Sequence, residues 1–377
     1  FRHTHRNVIF ANENVPGEAF DYIRYPKLDQ LFKLLDEHCK LADGCDVITI
    51  PHNTNMGDGT TFDVEQESER QLSLRSRFER LVEIHQEKGN SECLAPLGVT
   101  DESDCNFETR LTKLSSPATQ EDYNSDEWEH MRATYVRGLL MRGLAAYRRS
   151  GSGANNPLQL GIIGSTDGHA ATPGFVEESA WNGPVFGIGS FDKAMARRDW
   201  NPGGLVAIRA EENTRESLFA AMKRREVYAT SGPRIGLDFE SDVSSLSCEA
   251  GGRPAAVTMG GDFSRGQPYF RLNVASDRVP LQQIEVVKGK LQDGIFRETV
   301  VTLWEGSATS QCIVWQDSEF VEEEPAFWYA RVKEEATARW SAHHCRAKDR
   351  CDEFPGADVM IQERAWSSPI WYLPIKE

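Results

Sequence analysis

Along the first two-thirds of the chain, short apolar runs alternate with segments whose apolar residues recur at helical spacing. Residues 6–10 (RNVIF) read as a strand, and residues 28–42 set Leu28, Leu31, Phe32, Leu35 and Cys39 on one helical face. DVITI (46–50), closed by Pro51, has the pattern of a buried strand, and after a charged helix LVEI (81–84) is the next. Residues 93–124, punctuated by Cys, Pro and Asp, read as loop. Residues 126–148 read as a long amphipathic helix carrying Trp128, Met131, Tyr135 and Leu139. LGIIG (160–164), GLVAI (204–208) and VYAT (227–230) are further strands, and Asn213 with Glu216 opens the helix between the last two as a capping-box-like start. This alternation predicts a parallel sheet or barrel with helices outside. About five strands are too few to close a barrel of eight, so this part is expected to be incomplete on its N-terminal side.

After Ser231-Gly232-Pro233 the texture changes. RIGLDFE, YFRLNVA, QQIEVVK, ETVVTLW, QCIVW and AFWYARVK are short, alternating or β-branched, and separated by turn residues, with no helix required. The expected organisation is therefore an α/β domain over 1–233 and an antiparallel, sandwich-like β domain over 234–377.

Composition narrows the partners. Across 377 residues, 42 Lys and Arg face 58 Asp and Glu, a formal net charge of −16. A chain this acidic repels polyanions, so nucleic acid and anionic membrane surfaces are excluded as general partners, whereas small anions can still bind where local cations or a metal override the field. No apolar run reaches the length of a membrane span. Of the eight cysteines, three pairs are close in sequence (39/45, 93/105, 345/351), which leaves Cys248 and Cys312 for each other. None forms C-x-x-C, so short-range disulfides in an oxidising compartment are the expectation, against eight buried free thiols.

Ligating residue types collect just after the apolar runs, where α/β folds build their sites. His52 leaves DVITI behind a proline, and Asp167 and His169 follow LGIIG in a run of small residues. An Asp-x-His in a turning segment can bring an oxygen and a nitrogen to one metal, although an ordinary loop, or a hydrogen-bonded strand-end histidine at 52, fits the same letters. The same spacing at Asp36-Glu37-His38 falls mid-helix, where the two side chains diverge. Glu83 sits among apolar neighbours and must be paired or bound: to a metal, or to Lys88 or Arg80. His5 leads into the first strand, and His3 precedes it. His343 and His344 read as surface residues of the β domain. Motifs for a serine nucleophile elbow, a P-loop, a zincin helix or a dinucleotide fold are missing.

Taken together, HRNVIF, TIPHN, LVEIHQEKGNSEC, IGSTDGH, GGLVAIRAEENTRESLFAAMKRREVYATSGPRI and IQERAWSSPIWY resemble one family of secreted or periplasmic bacterial proteins of unknown function (domain of unknown function 3604) related to the PHP metallohydrolases. The resemblance implies a distorted (β/α)7 barrel with two or three divalent transition metals (Zn, Mn or Fe) that hydrolyses small phosphate esters with a metal-activated water. By position in the motifs, His5, His52, Asp167 and His169 match metal ligands. Glu83 and Lys88 fall in a segment typical of the family and are the candidate catalytic groups, with Arg234 a candidate for the substrate phosphate. The family's opening H-x-H and bridging Glu lie upstream of Phe1, so the resemblance implies a partial barrel lacking its N-terminal part. Two other functions fit the same residues: an extracellular binding module with a structural metal, and a metal-dependent amide or sulfate-ester hydrolase.

Overall fold

In the computed structural model, residues 5–57, 59–94, 102–110, 134–149, 156–249 and 253–375 are described. The N-terminal part runs β1 (His5–Phe10), α1 (Leu28–His38), β2 (Val47–His52), α2 (Glu69–Phe78), β3 (Leu81–Gln86), β4 (Gly89–Asn90), α3 (Val136–Arg149) and β5 (Gly161–Gly164). It continues through α4 (Phe191–Met195), β6 (Leu205–Ile208), α5 (Arg215–Arg224) and β7 (Val227–Thr230). The apolar periodicities fall on these elements: Phe32 and Leu35 of α1 are buried, as is every residue of β2 and β3. The part of the expected helix at 126–133 lies outside the described residues. Helix α5 is capped by Thr214, whose side chain accepts from Ser217 N–H, one residue later than the Asn213 start.

The rest is mostly strand: β8 (Gly236–Asp242), β9 (Val257–Thr258), β10 (Asp262–Phe263), β11 (Tyr269–Ala275), β12 (Leu281–Gln292) and β13 (Ile295–Ala308). There follow β14 (Ser310–Gln316), β15 (Ala326–Glu334), β16 (Thr337–Ala338), α6 (Trp340–Ala347), β17 (Met360–Ile361), β18 (Arg364–Ser367) and β19 (Ile370–Tyr372). Helix α6 is unforeseen in this stretch; it carries His343 and His344 and buries Trp340 and Cys345.

The expected (β/α)7 barrel does not form. Among the described residues most neighbouring strands are antiparallel, including β1 with β2 and β6 with β7, although a helix separates each pair in sequence. The cause at β6 and β7 is local. Arg225 ends α5 in the left-handed region (φ 69°), and Arg209 N–H donates to Glu226 O. The end of β6 is thereby tied to the start of β7, and the chain returns antiparallel. An eight-stranded sheet then runs β10-β19-β15-β18-β7-β6, with β12 on β15 and β13 on β12. It draws strands from both sides of residue 233.

A four-stranded sheet, β14-β11-β8-β9, packs its apolar face on this larger one, joining Phe239, Phe270 and Leu272 to Ile284, Val286, Trp328 and Tyr372. On the other face, α3 packs Val136, Leu139, Leu140 and Leu144 with Val82, Ile84, Val287, Phe327 and Trp366. Trp328, Trp340, Trp366 and Trp371 are fully buried. At roughly 150–250 Å² each, one such ring contributes about 4–6 kcal/mol of apolar burial before entropy is charged against it.

A buried ionic cluster joins the two regions. Glu92 Oε1 accepts from Arg137 Nη2 (2.6 Å), Arg331 Nη1 (3.1 Å) and the Tyr329 hydroxyl (2.6 Å), and Oε2 accepts from Trp366 Nε1 (2.7 Å). Glu102 and Asp104, held in the loop closed by Cys93–Cys105, add further contacts to Arg137, Arg331 and Lys333. All eight cysteines are paired, as 39–45, 93–105, 248–312 and 345–351.

Candidate functional site

Three strands run in one direction at the N-terminal side. β3 and β5 pair in parallel, and Thr49 of β2 forms a parallel bridge to Glu79 at the foot of β3. Their carboxyl ends deliver His52, the segment Glu83–Lys88 and the segment Ser165–His169 to one place. Sharp exits aim these residues: Asn53 (φ 48°) and Asp167 (φ 47°) are both left-handed, a region that Asn and Asp enter more readily than other non-glycine residues. The 165–167 backbone rests on Gly203, itself at φ 88°, where a Cβ would stand 2.7 Å from Thr166 Cα and 2.8 Å from Ser165 O. Only glycine satisfies both the conformation and that close approach.

The result is an open pocket of about 320 Å³ lined by Asn7, His52, Glu83, Ser165, Thr166, Asp167, Gly168 and His169. Glu83 is buried; Oε2 accepts from Ser165 Oγ and Oε1 from Asn53 N–H (3.2 Å). Burial pushes its carboxyl up to about 7, against the opposing pull of the Ser165 bond. Asp167 Oδ2 accepts from Lys88 Nζ and from Gln86 Nε2 (2.9 Å). His169 Nδ1 lies 3.0 Å from Glu87 Oε1, and burial raises the Glu87 carboxyl above its ordinary range. His52 meets the His5 ring edge-on at 5.5 Å between centroids, across the β1–β2 ladder in which they are partners. Burial lowers the His52 imidazole to about 4, so it is neutral at pH 7. Among the described residues its buried Nδ1 has no hydrogen-bond partner.

Of the residues singled out in the sequence, His52, Glu83, Asp167 and His169 line the pocket, His5 packs on His52, and Lys88 is bound to Asp167. Glu83 takes neither of its suggested cationic partners; Arg80 donates to the carbonyls of Lys223 and Ser76 instead. Arg234 is exposed, donates its backbone N–H to Asp277 Oδ2 and is not in the lining. His3 lies outside the described residues. Sequence reasoning missed Ser165, Gln86 and Glu87, which hold Glu83, Asp167 and His169. A register shift between Glu83 and His85 breaks the alternation of β3. Glu83 then enters the pocket while His85 packs against Phe107 and Trp366.

The donors fit a divalent transition-metal ion in kind: imidazole nitrogens and carboxylate oxygens, one of the nitrogens buried and unpartnered. Their ligand atoms are not drawn to a point. Among the described residues, the one trio of His, Cys, Asp or Glu ligand atoms within 4.8 Å of one another is Cys93, Glu102 and Cys105. The two sulfurs there are joined to each other, so they supply no thiolate.

The family described as "Protein of unknown function (DUF3604)" matches residues 1–310 and 304–374. No curated protein matches the chain, and no solved structure does. The chain belongs to the DUF3604 family.

Proposed function

From that membership and the pocket, we propose that the chain is a metal-dependent hydrolase of small phosphate esters, related in its motifs to the PHP enzymes and working in the periplasm or outside the cell. The observation that carries the reading is the buried Nδ1 of His52, unpartnered among the described residues, in a pocket it shares with Glu83, Asp167 and His169. His5, His52, Asp167 and His169 would hold the ion. A bound Zn, Mn or Fe ion lowers the pKa of a water toward 7 and polarises a phosphoryl oxygen. The reading rests on this residue set and requires no barrel.

The chain's own groups supply the rest. With a carboxyl that titrates at about 7, Glu83 can hold or release a proton at neutral pH, as general acid–base work requires. Ser165 and Asn53 fix its two oxygens in place. Lys88 is a cation beside the pocket, paired with Asp167; with Asp167 on the ion, its ammonium would be freed for an anionic ester. Four disulfides suit an oxidising compartment.

The test is the metal content of protein purified without chelators, beside an Asp167→Ala/His169→Ala variant, with p-nitrophenyl phosphate turnover in added Mn or Zn. We expect stoichiometric metal and turnover in the wild type and the loss of both in the variant. Metal content identical in the two proteins refutes the site. Metal loss with cleavage of a sulfate or amide analogue, and none of the phosphate, keeps the site and changes the bond.

A further inference from the structure

A second cleft, of about 610 Å³, shares no lining residue with the first. Its floor is the outward face of the four-stranded sheet, and its wall is formed by Ala207–Arg209 at the end of β6 together with Tyr228 of β7. The register explains the floor. Gly236, Ala275 and Ser310 stand in one row across β8, β11 and β14, and Asp238, Asn273 and Cys312 in the next. Their alternates Leu237, Phe239, Leu272 and Val274 are buried in the core, so the small and polar set faces out. Three small residues in one row make the hollow. The Cys248–Cys312 disulfide ties one floor strand to the segment after β8.

The chemistry of the lining is specific. Arg209 and Asp238 form an ion pair on the cleft, with side chains 33% and 45% exposed, so both remain accessible and their charges cancel. Asn273 adds a planar amide, and Tyr228, partly buried against the core, adds an aromatic ring whose hydroxyl is already committed to Ile235 O (3.0 Å). Planar donor–acceptor groups beside an aromatic ring, in a preformed hollow within the usual 300–1,000 Å³, suit a ligand rich in hydroxyls and free of net charge. An anion finds no unopposed cation in Arg209 and meets a chain with a net charge of −16.

We propose that this cleft is a binding site for a neutral saccharide, with Arg209, Asp238 and Asn273 reading hydroxyls and Tyr228 flanking a sugar ring. It is separate from the proposed hydrolytic pocket and stands without it.

The experiment titrates the intact chain with cellotriose, maltotriose and triacetylchitotriose, by calorimetry and saturation-transfer NMR. At least one is expected to bind with a Kd of about 1 mM or tighter. Gly236→Phe fills the hollow: a Cβ there meets only Ala275, at 3.5–3.9 Å, so the backbone accepts it. This variant and Arg209→Ala should each weaken binding by at least about tenfold. Asp167→Ala/His169→Ala should leave it unchanged. Failure of all three saccharides to bind overturns the proposal, as does binding indifferent to both cleft variants. Capture of an extended peptide that Gly236→Phe blocks, with no saccharide bound, overturns it in favour of strand addition. If Gly236→Phe lowers the unfolding midpoint, Arg209→Ala decides.

Discussion

Glu92→Gln keeps the shape of the residue at the centre of the buried cluster and removes its charge. In the native protein two carboxylate oxygens accept four hydrogen bonds, from Arg137, Arg331, Tyr329 and Trp366. The amide keeps one acceptor and points an NH2 at donors, so either Trp366 Nε1 or the arginine side loses its partner. Breaking a buried pair by removing one member costs about 3–5 kcal/mol. Here Arg137 keeps Glu102 and Glu298, and Arg331 keeps Glu102, Asp104 and Glu285, which holds the expected loss near the lower end, about 3 kcal/mol. Urea unfolding followed by tryptophan fluorescence and circular dichroism reads this as a lower midpoint at unchanged slope. The control is Asp358→Asn, which breaks a pair whose side chains are 51% and 47% exposed and should cost less than about 1 kcal/mol. Equal midpoint shifts in the two variants would refute the reasoning. The pH dependence adds a second check. Burial pushes the Glu92 carboxyl up, but Arg137 and Arg331 outweigh it and hold it well below the usual carboxylate range. A depressed acid stabilises fully above its unfolded pKa and loses that contribution as pH falls. The gap between wild type and variant should therefore be complete at pH 7 and narrow below about pH 4.

Gly203→Ala forces a left-handed alanine against Thr166 and Ser165 and should cost about 2–4 kcal/mol in thermal melts, with weaker metal uptake. Gly294→Ala, at φ 78° with nothing within 4 Å, should cost only about 1 kcal/mol, and equal losses would show that the close approach does not matter. Glu178 is pushed up to about 8, first by burial and then by Glu108, so the folded protein holds a proton that the unfolded chain releases near pH 4. Stability should fall as pH rises from about 5 to 8, by at most about 1.4 kcal/mol per pH unit from this group, and Glu178→Gln should flatten that slope. An unchanged slope would remove Glu178 from the account.

Strand positions were legible because apolar runs mark them: DVITI, LVEI, GLVAI and VYAT fall on β2, β3, β6 and β7. Strand direction was not, since a buried run reads the same in a parallel or an antiparallel ladder. The reversal at β7 depends on one left-handed arginine, Arg225, that no periodicity announces. The pocket residues His52, Asp167 and His169 stood out as ligating types following apolar runs. Their supports, Gln86 and Glu87, did not, because a register shift in β3 decides which way that segment faces. Arg234, in the link between β7 and β8, carried no signal for its place outside the pocket, and α6 lay inside a stretch whose neighbours are all strands.

Strand β18 sits between β15 and β7, with Ala365 paired to both Val332 and Thr230. Two strands made earlier are thus joined through one that follows both in the chain. Glu92 likewise waits for Tyr329 and Trp366, 237 and 274 residues further along the chain. Contacts this distant in sequence slow folding and leave partly finished chains prone to aggregate. A nascent chain halted before Arg364 has its short disulfide loops within reach but a gap in the middle of its largest sheet. Within the described residues, that sheet therefore closes only once β18 is in place between β15 and β7.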